Sequence, residues 1–239
     1  MNYLIDCGTH LGEGLTKHIE KYKINCDWTI YSFEANPYTF DLLNCVKQTN
    51  DLPKKYNWLF WDKLIRKNEA VWIEDGIVKF YPSKLLHTST LVESDFYKHF
   101  MSYHDSLLAN GELITDHQRQ NTPIDGSSTI LVEHFKEYLP KAGNILQKNI
   151  VWDTMCKVKS FNFSNWLKQT IPNNSFVICK LDIEGAEFDV LEQCIKDNTI
   201  SLINVLNVEF HHFDNKELIN RYNVIIEKLK KYNIELNGW

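Results

Sequence analysis

The eight residues Lys180-Leu181-Asp182-Ile183-Glu184-Gly185-Ala186-Glu187 constrain this chain more than any other stretch, because four charged side chains interrupt an apolar strand and lead straight into a helix start. Phe176 to Cys179 reads as a buried parallel strand, and Phe188, Leu191 and Ile195 recur downstream at helical spacing, so Glu184 and Gly185 fall in the strand-to-helix turn. In open α/β sheets ligands sit at such strand ends. Glu184 and Glu187 could serve the helix N-terminus alone, each stabilising it by about 0.3–1 kcal/mol. That account does not reach Asp182. An aspartate inside a central strand is costly unless it is paired or meets a ligand, so the pattern gives Asp182 a functional role.

The rest of the chain repeats the strand, turn, helix order. Tyr3 to Cys7 is a short apolar strand, followed by the glycine-rich Gly8 to Gly14 and a helical pattern through Leu15, Ile19 and Tyr22. Trp28 to Phe33 is the next strand, ended by Glu34-Ala35-Asn36-Pro37, with Pro37 suited to the first turn of a helix carrying Phe40, Leu43 and Val46. Ala70 to Ile73 and Val78 to Tyr81 read as a hairpin around Glu74-Asp75-Gly76. From about Pro82 to Asn149 the periodicity is fragmentary and the segment reads as an insertion. Order returns with a strand over Lys157 to Phe161, a helix over Ser164 to Gln169, the Phe176 to Asp182 strand and its helix, and a strand over Leu202 to Phe210. A helix over Leu218 to Tyr232 and an edge strand over Ile234 to Leu236 complete the chain. The expected fold is α/β, a doubly wound and mostly parallel sheet in one domain over 1–239, with an inserted cap at about 82–149.

At 239 residues the chain suits one well-buried domain rather than two catalytic ones. A net charge of −5 opposes a dedicated nucleic-acid binder, since phosphate neutralisation needs clustered Lys and Arg. Six scattered cysteines without a CxxC pair read as reduced core thiols. No basic segment followed by a long apolar run opens the sequence, and no stretch approaches the roughly 18 apolar residues of a membrane span, so a soluble, cytoplasmic protein without a membrane partner is expected.

Three constellations carry chemistry. In Asp6-Cys7-Gly8-Thr9-His10-Leu11-Gly12-Glu13-Gly14 the glycines let backbone approach a ligand, but they fall at 8, 12 and 14, so the GxGxxG dinucleotide fingerprint fails and a nicotinamide oxidoreductase is disfavoured. The remaining pattern, an acid two residues before Gly8 and the Gly8-xxx-Gly12 spacing, suits a ligand ending in an amino acid, with Asp6 placed to attract its ammonium group. Glu34, twenty residues after Gly14, sits where nucleoside-binding α/β folds place an acid for ribose hydroxyls. In Leu206-Asn207-Val208-Glu209-Phe210-His211-His212, alternation puts Asn207, Glu209 and His211 on one strand face. Carboxylate and imidazole are both metal ligands, but convergence of three or four is not visible in a sequence, and no metal is assigned.

Asp6-x-Gly8-x-x-x-Gly12, Phe33-Glu34-Ala35-Asn36-Pro37 and Lys180 to Glu187, in this order and spacing, resemble the FkbM family of S-adenosylmethionine-dependent methyltransferases, whose Lys-Ile-Asp-Val-Glu-Gly-Ala-Glu signature matches with apolar exchanges only. Asn68-x-Ala70, Ser89-Thr90-Leu91 and Val208-Glu209-Phe210-His211 are weaker landmarks. The resemblance implies a Rossmann-like methyltransferase sheet and S-adenosylmethionine as methyl donor. It places Asp6, Gly8 and Gly12 at the methionine portion and Glu34 at the ribose, with Thr9, His10, Asn36 and Asn68 in the same donor site. Asp182 would lie beside the sulfonium. The family usually carries Asn where this chain has His10. It further implies O-methylation of a sugar or glycan hydroxyl, with Asp182, Glu184, Glu209 and His211 near the transferred methyl. Ribose 2′-O-methylation of RNA is the alternative within enzymes, encouraged by Lys180 beside Asp182 and opposed by net charge. A catalytically inactive nucleoside-binding module is the alternative outside them. The expected partner is a small-molecule or glycan acceptor, and a homodimer stays open.

Overall fold

The computed structural model describes residues 1–47, 54–80, 156–211 and 216–238; the expected cap at about 82–149, the Ser89 landmark and His212 lie outside the described residues. In chain order the elements are β1 (Asn2–Cys7), α1 (Glu13–Lys21), β2 (Thr29–Phe33), α2 (Pro37–Lys47), a 3₁₀ segment (Lys54–Phe60), β3 (Leu64–Lys67), β4 (Ala70–Trp72) and β5 (Gly76–Phe80). After them come β6 (Cys156–Asn162), α3 (Phe163–Thr170), β7 (Phe176–Leu181), α4 (Glu187–Lys196), a 3₁₀ turn (Thr199–Leu202), β8 (Val205–Val208), α5 (Lys216–Leu229) and β9 (Glu235–Gly238).

Six strands pair in parallel in the order β3-β2-β1-β7-β8-β9. Side-chain alternation sends Leu4, Ile30, Ile178 and Val205 to one face, where they pack with Leu15 of α1, Leu43 of α2 and Trp58. Tyr3, Ile5, Phe33, Val177, Cys179 and Leu206 go to the other, against Leu167 of α3, Phe188 and Leu191 of α4, and Leu218, Ile225 and Leu229 of α5. Each such residue fully buried contributes about 1.5–3 kcal/mol. Both faces are covered, as the doubly wound reading expected. The winding reverses between β1 and β7, and the crevice beyond their C-terminal ends is therefore the ligand position of this architecture.

Several local expectations are corrected. β4 and β5 do not form a hairpin: β6 lies between them, parallel to β4 and antiparallel to β5, with Ser160 opposite both Ala70 and Gly76. The intervening turn is bound to β6, since Ser160 Oγ donates to the Glu74 carbonyl at 3.1 Å and the Asn162 backbone N–H to Asp75 Oδ1 at 3.0 Å. β3 was not apparent in the sequence, because its apolar pair Leu64-Ile65 is followed at once by Arg66 and Lys67; pairing with β2 creates it. β8 is confined to Val205–Val208, its start displaced by the 3₁₀ turn. Cys7, Cys179 and Cys194 are buried free thiols, whereas Cys26 is exposed. No helix among the described residues is long and apolar enough to cross a membrane.

Candidate active site

Between β1 and α1 the backbone enters the left-handed region three times, at Gly8 (φ 81°), His10 (φ 50°) and Gly12 (φ 81°). Gly8 presses against the turn after β7: a Cβ there would stand 1.8 Å from the Asp182 carbonyl oxygen, while the Asp182 N–H donates to the Cys7 carbonyl at 3.2 Å. At Gly12 a Cβ would approach the Trp58 ring to 2.7 Å, and the indole N–H donates to Thr16 Oγ1 at 2.9 Å. Packing therefore requires both glycines irrespective of any ligand. His10 holds its left-handed conformation as one of the few non-glycine residue types enriched at positive φ. Its backbone N–H donates to Glu34 Oε2 at 2.6 Å. Thr9 is tied to β2 through Ser32 Oγ at 2.8 Å and through its N–H to the Phe33 carbonyl at 3.0 Å.

Glu34 follows β2 directly and is buried. Besides the His10 bond, its Oε1 accepts the Asn36 N–H at 2.8 Å, and Asn68 Nδ2 donates to the Glu34 carbonyl at 2.8 Å. Asn36 and Asn68 thus shape the turn that presents the carboxylate. Burial pushes the Glu34 carboxyl up to about 7, against the opposing pull of the Asn36 and His10 N–H groups.

One residue row of the sheet is polar across its centre. Ser32, Asp6, Lys180 and Asn207 are register neighbours on β2, β1, β7 and β8, all facing α1. Asp6 is 1% exposed, and neither carboxylate oxygen accepts a hydrogen bond among the described residues. Its charge is balanced by Lys180 Nζ at 3.5 Å, which also lies 3.2 Å from Asp182 Oδ2 and donates to the Gly8 carbonyl at 2.6 Å. Asn207 accepts from the Tyr22 hydroxyl at 2.8 Å and so anchors the end of α1. Leu206, Val208 and Phe210 pack on the opposite face, so the alternation that puts Glu209 with Asn207 runs on through Phe210; the Glu209 N–H still donates to the Leu181 carbonyl at 3.0 Å, and His211 follows at the strand end.

There His211 meets the turn after β7. Its Nδ1 is 3.0 Å from Glu187 Oε1, and its Nε2 is 3.4 Å from Glu184 Oε2 and 3.8 Å from Glu209 Oε1. Glu187 is fully buried and accepts the N–H groups of Ile183 at 2.8 Å and Gly185 at 2.9 Å, which fixes the turn with Glu184 at φ 55°. Burial pulls the His211 imidazole down, but the carboxylates of Glu184, Glu187 and Asp182 outweigh it and hold its pKa well above the ordinary value. Burial raises the Glu184 carboxyl well above its usual range, and raises Glu209 with help from Asp182. Atoms of Asp182, Glu184 and His211 lie within 4.8 Å of one another, a spacing one divalent cation could share as well as a proton.

The structure gathers Asp6, Gly8, Thr9, His10, Gly12, Glu34, Asn36, Asn68 and Asp182 around the C-terminal ends of β1, β2, β3 and β7, with Glu184, Glu209 and His211 at the β7–β8 side. Sequence reasoning gave Lys180 a place only in the RNA reading and Glu187 only a role at the helix N-terminus. A lysine within an apolar strand was the available signal for the first; the burial of Glu187 follows only from the fold. The family model for the methyltransferase FkbM domain matches residues 6–235. No curated protein and no solved structure matches the chain. With a match over nearly its whole length and the family's motifs meeting at the switch point of a parallel sheet, the chain belongs to the FkbM methyltransferase family.

Proposed function

We propose that the protein is an S-adenosylmethionine-dependent O-methyltransferase acting on a hydroxyl of a sugar or glycan. The convergence of the Asp6–Gly12 turn, the Glu34 carboxylate and the Asp182–Glu184–His211 cluster on one crevice carries this reading. The residues fit an adenosyl amino acid. Asp6 has buried oxygens without hydrogen bonds beside the turn, and Glu34 has lone pairs beyond the two that its N–H partners use. Asp6, Gly8 and Gly12 would hold the methionine end, and Glu34 the ribose. When bound, the donor supplies an electrophilic methyl group, so the protein's task is alignment and proton uptake. Asp182 and Glu209 orient the acceptor hydroxyl and take its proton, within the field of the His211 imidazolium. Methylation breaks the sulfur–carbon bond, whose electron pair stays on sulfur, and forms the oxygen–carbon bond.

Titration calorimetry with S-adenosylhomocysteine is expected to give micromolar affinity, weakened by about 1–3 kcal/mol in Glu34→Ala. Affinity for NAD with none for the adenosyl ligand would overturn the reading. Label transfer from S-adenosylmethionine to a panel of glycans tests the acceptor class; donor binding without transfer to any acceptor would favour the inactive module.

Glu34 also sets a pH dependence. Ribose hydroxyls donate to the ionised carboxylate, which in the free protein forms only as pH rises through about 7. S-adenosylhomocysteine should therefore bind about tenfold more weakly at pH 6 than at pH 8, and Glu34→Gln should flatten the profile. Stability runs the opposite way. With a folded pKa near 7 against an ordinary 4.5, the native state binds the extra proton, so Glu34's contribution is fullest below 4.5 and is lost as pH rises through about 7.

A further inference from the structure

We propose that Lys180 sets how far the site prefers a sulfonium to a thioether, and so biases a bound methyl donor toward transfer; this rests on the donor reading above. Lys180 is 2% exposed, yet its ammonium is fully engaged: the Gly8 carbonyl at 2.6 Å, Asp182 at 3.2 Å and Asp6 at 3.5 Å surround it. Its register partner is Asp6, at the pairing of β1 and β7 where the sheet reverses its winding. One fixed cation thus joins the turn that would receive the methionine end to the carboxylate beside the departing methyl. Burial favours its neutral form, but Asp6 and Asp182 outweigh this and keep it protonated.

S-adenosylmethionine and S-adenosylhomocysteine share the ammonium, carboxylate, ribose and adenine. Contacts with Asp6, the glycine turn and Glu34 are therefore common to both ligands. They differ in the methyl group and one unit of charge on sulfur. That charge is attracted by the Asp182 carboxylate and repelled by Lys180 and the His211 imidazolium. In a partly buried crevice the repulsion from one fixed cation is worth about tenfold or more in affinity. It weighs most on the full sulfonium and fades as charge leaves sulfur during transfer. Lys180 therefore raises the bound donor relative to the transition state, the differential interaction that accelerates a chemical step. Asp6 and Asp182, in turn, supply the compensation that lets an ammonium reside there at all.

Calorimetry of both ligands, without acceptor, tests this on the wild type, Lys180→Met and Lys180→Arg. The ratio of the S-adenosylhomocysteine Kd to the S-adenosylmethionine Kd should rise about tenfold in Lys180→Met and stay within threefold of wild type in Lys180→Arg, which keeps the charge. An unchanged ratio in Lys180→Met overturns the inference, because a lysine that only holds the turns together would weaken both ligands alike. Should Lys180→Met fail to fold with Asp6 left as an unpaired buried charge, the charge-balanced Asp6→Asn/Lys180→Met protein is compared with Asp6→Asn, and the same tenfold change is expected. Wild-type protein that binds neither ligand overturns the donor reading and this inference together. Binding of both with an invariant ratio overturns this inference alone.

Discussion

Replacing Asp182 by Asn is expected to lower methyl-transfer turnover by about 10²–10⁴-fold while changing the affinity for uncharged-sulfur S-adenosylhomocysteine little. The side chain stands at the switch point, 3.2 Å from Lys180 Nζ and within 4.8 Å of the ligand atoms of Glu184 and His211. Asn keeps the shape and removes both the negative charge and the capacity to take a proton. The measurement is turnover with labelled S-adenosylmethionine and an acceptor that the wild type methylates, set beside calorimetry and a thermal melt. Near-normal turnover would take Asp182 out of the chemistry and make Glu209 and His211 the first alternatives. A variant that melts far below wild type would instead assign the carboxylate to balancing Lys180, whose remaining anionic neighbour is Asp6 at 3.5 Å.

Gly8→Ala is expected to be the most destabilising single-methyl change in the site, by at least about 3 kcal/mol, with donor binding lost as well. Two costs combine. A non-glycine residue at φ 81° is strained, and the new Cβ would lie 1.8 Å from the Asp182 carbonyl oxygen, a backbone atom that cannot swing aside. The strands that carry the two turns would have to separate. Gly238→Ala serves as the comparison, since a Cβ there meets nothing within 4 Å, and it should leave stability nearly unchanged. Chemical denaturation of the two variants against wild type decides the matter. A Gly8→Ala protein as stable as the parent would mean that the turns after β1 and β7 are not in backbone contact.

The sheet was legible because burial on both faces writes continuous apolar runs, as Tyr3 to Ile5 in β1 and Phe176 to Cys179 in β7 show. The turn residues Gly8, Gly12, Glu34 and Glu184 were legible because charge and glycine at strand ends have few other uses. The hairpin reading failed because two short strands beside a turn look alike whether they pair with each other or receive β6 between them, and β6 lies more than seventy residues further along the chain. The polar side chains are the clearest division. That Asp182, Glu184, Glu209 and His211 belong to a site was apparent from their positions along the chain, since local pattern reports which residues resist burial. Which partner each one meets was decided by tertiary structure. Register set Lys180 beside Asp6, the fold brought Glu187 at the start of α4 to 3.0 Å from His211, and packing rather than ligand contact alone fixed Gly8 and Gly12. Charge balance in a buried crevice is a sum over groups far apart in sequence, and distance in space, which only the fold supplies, gives each its weight.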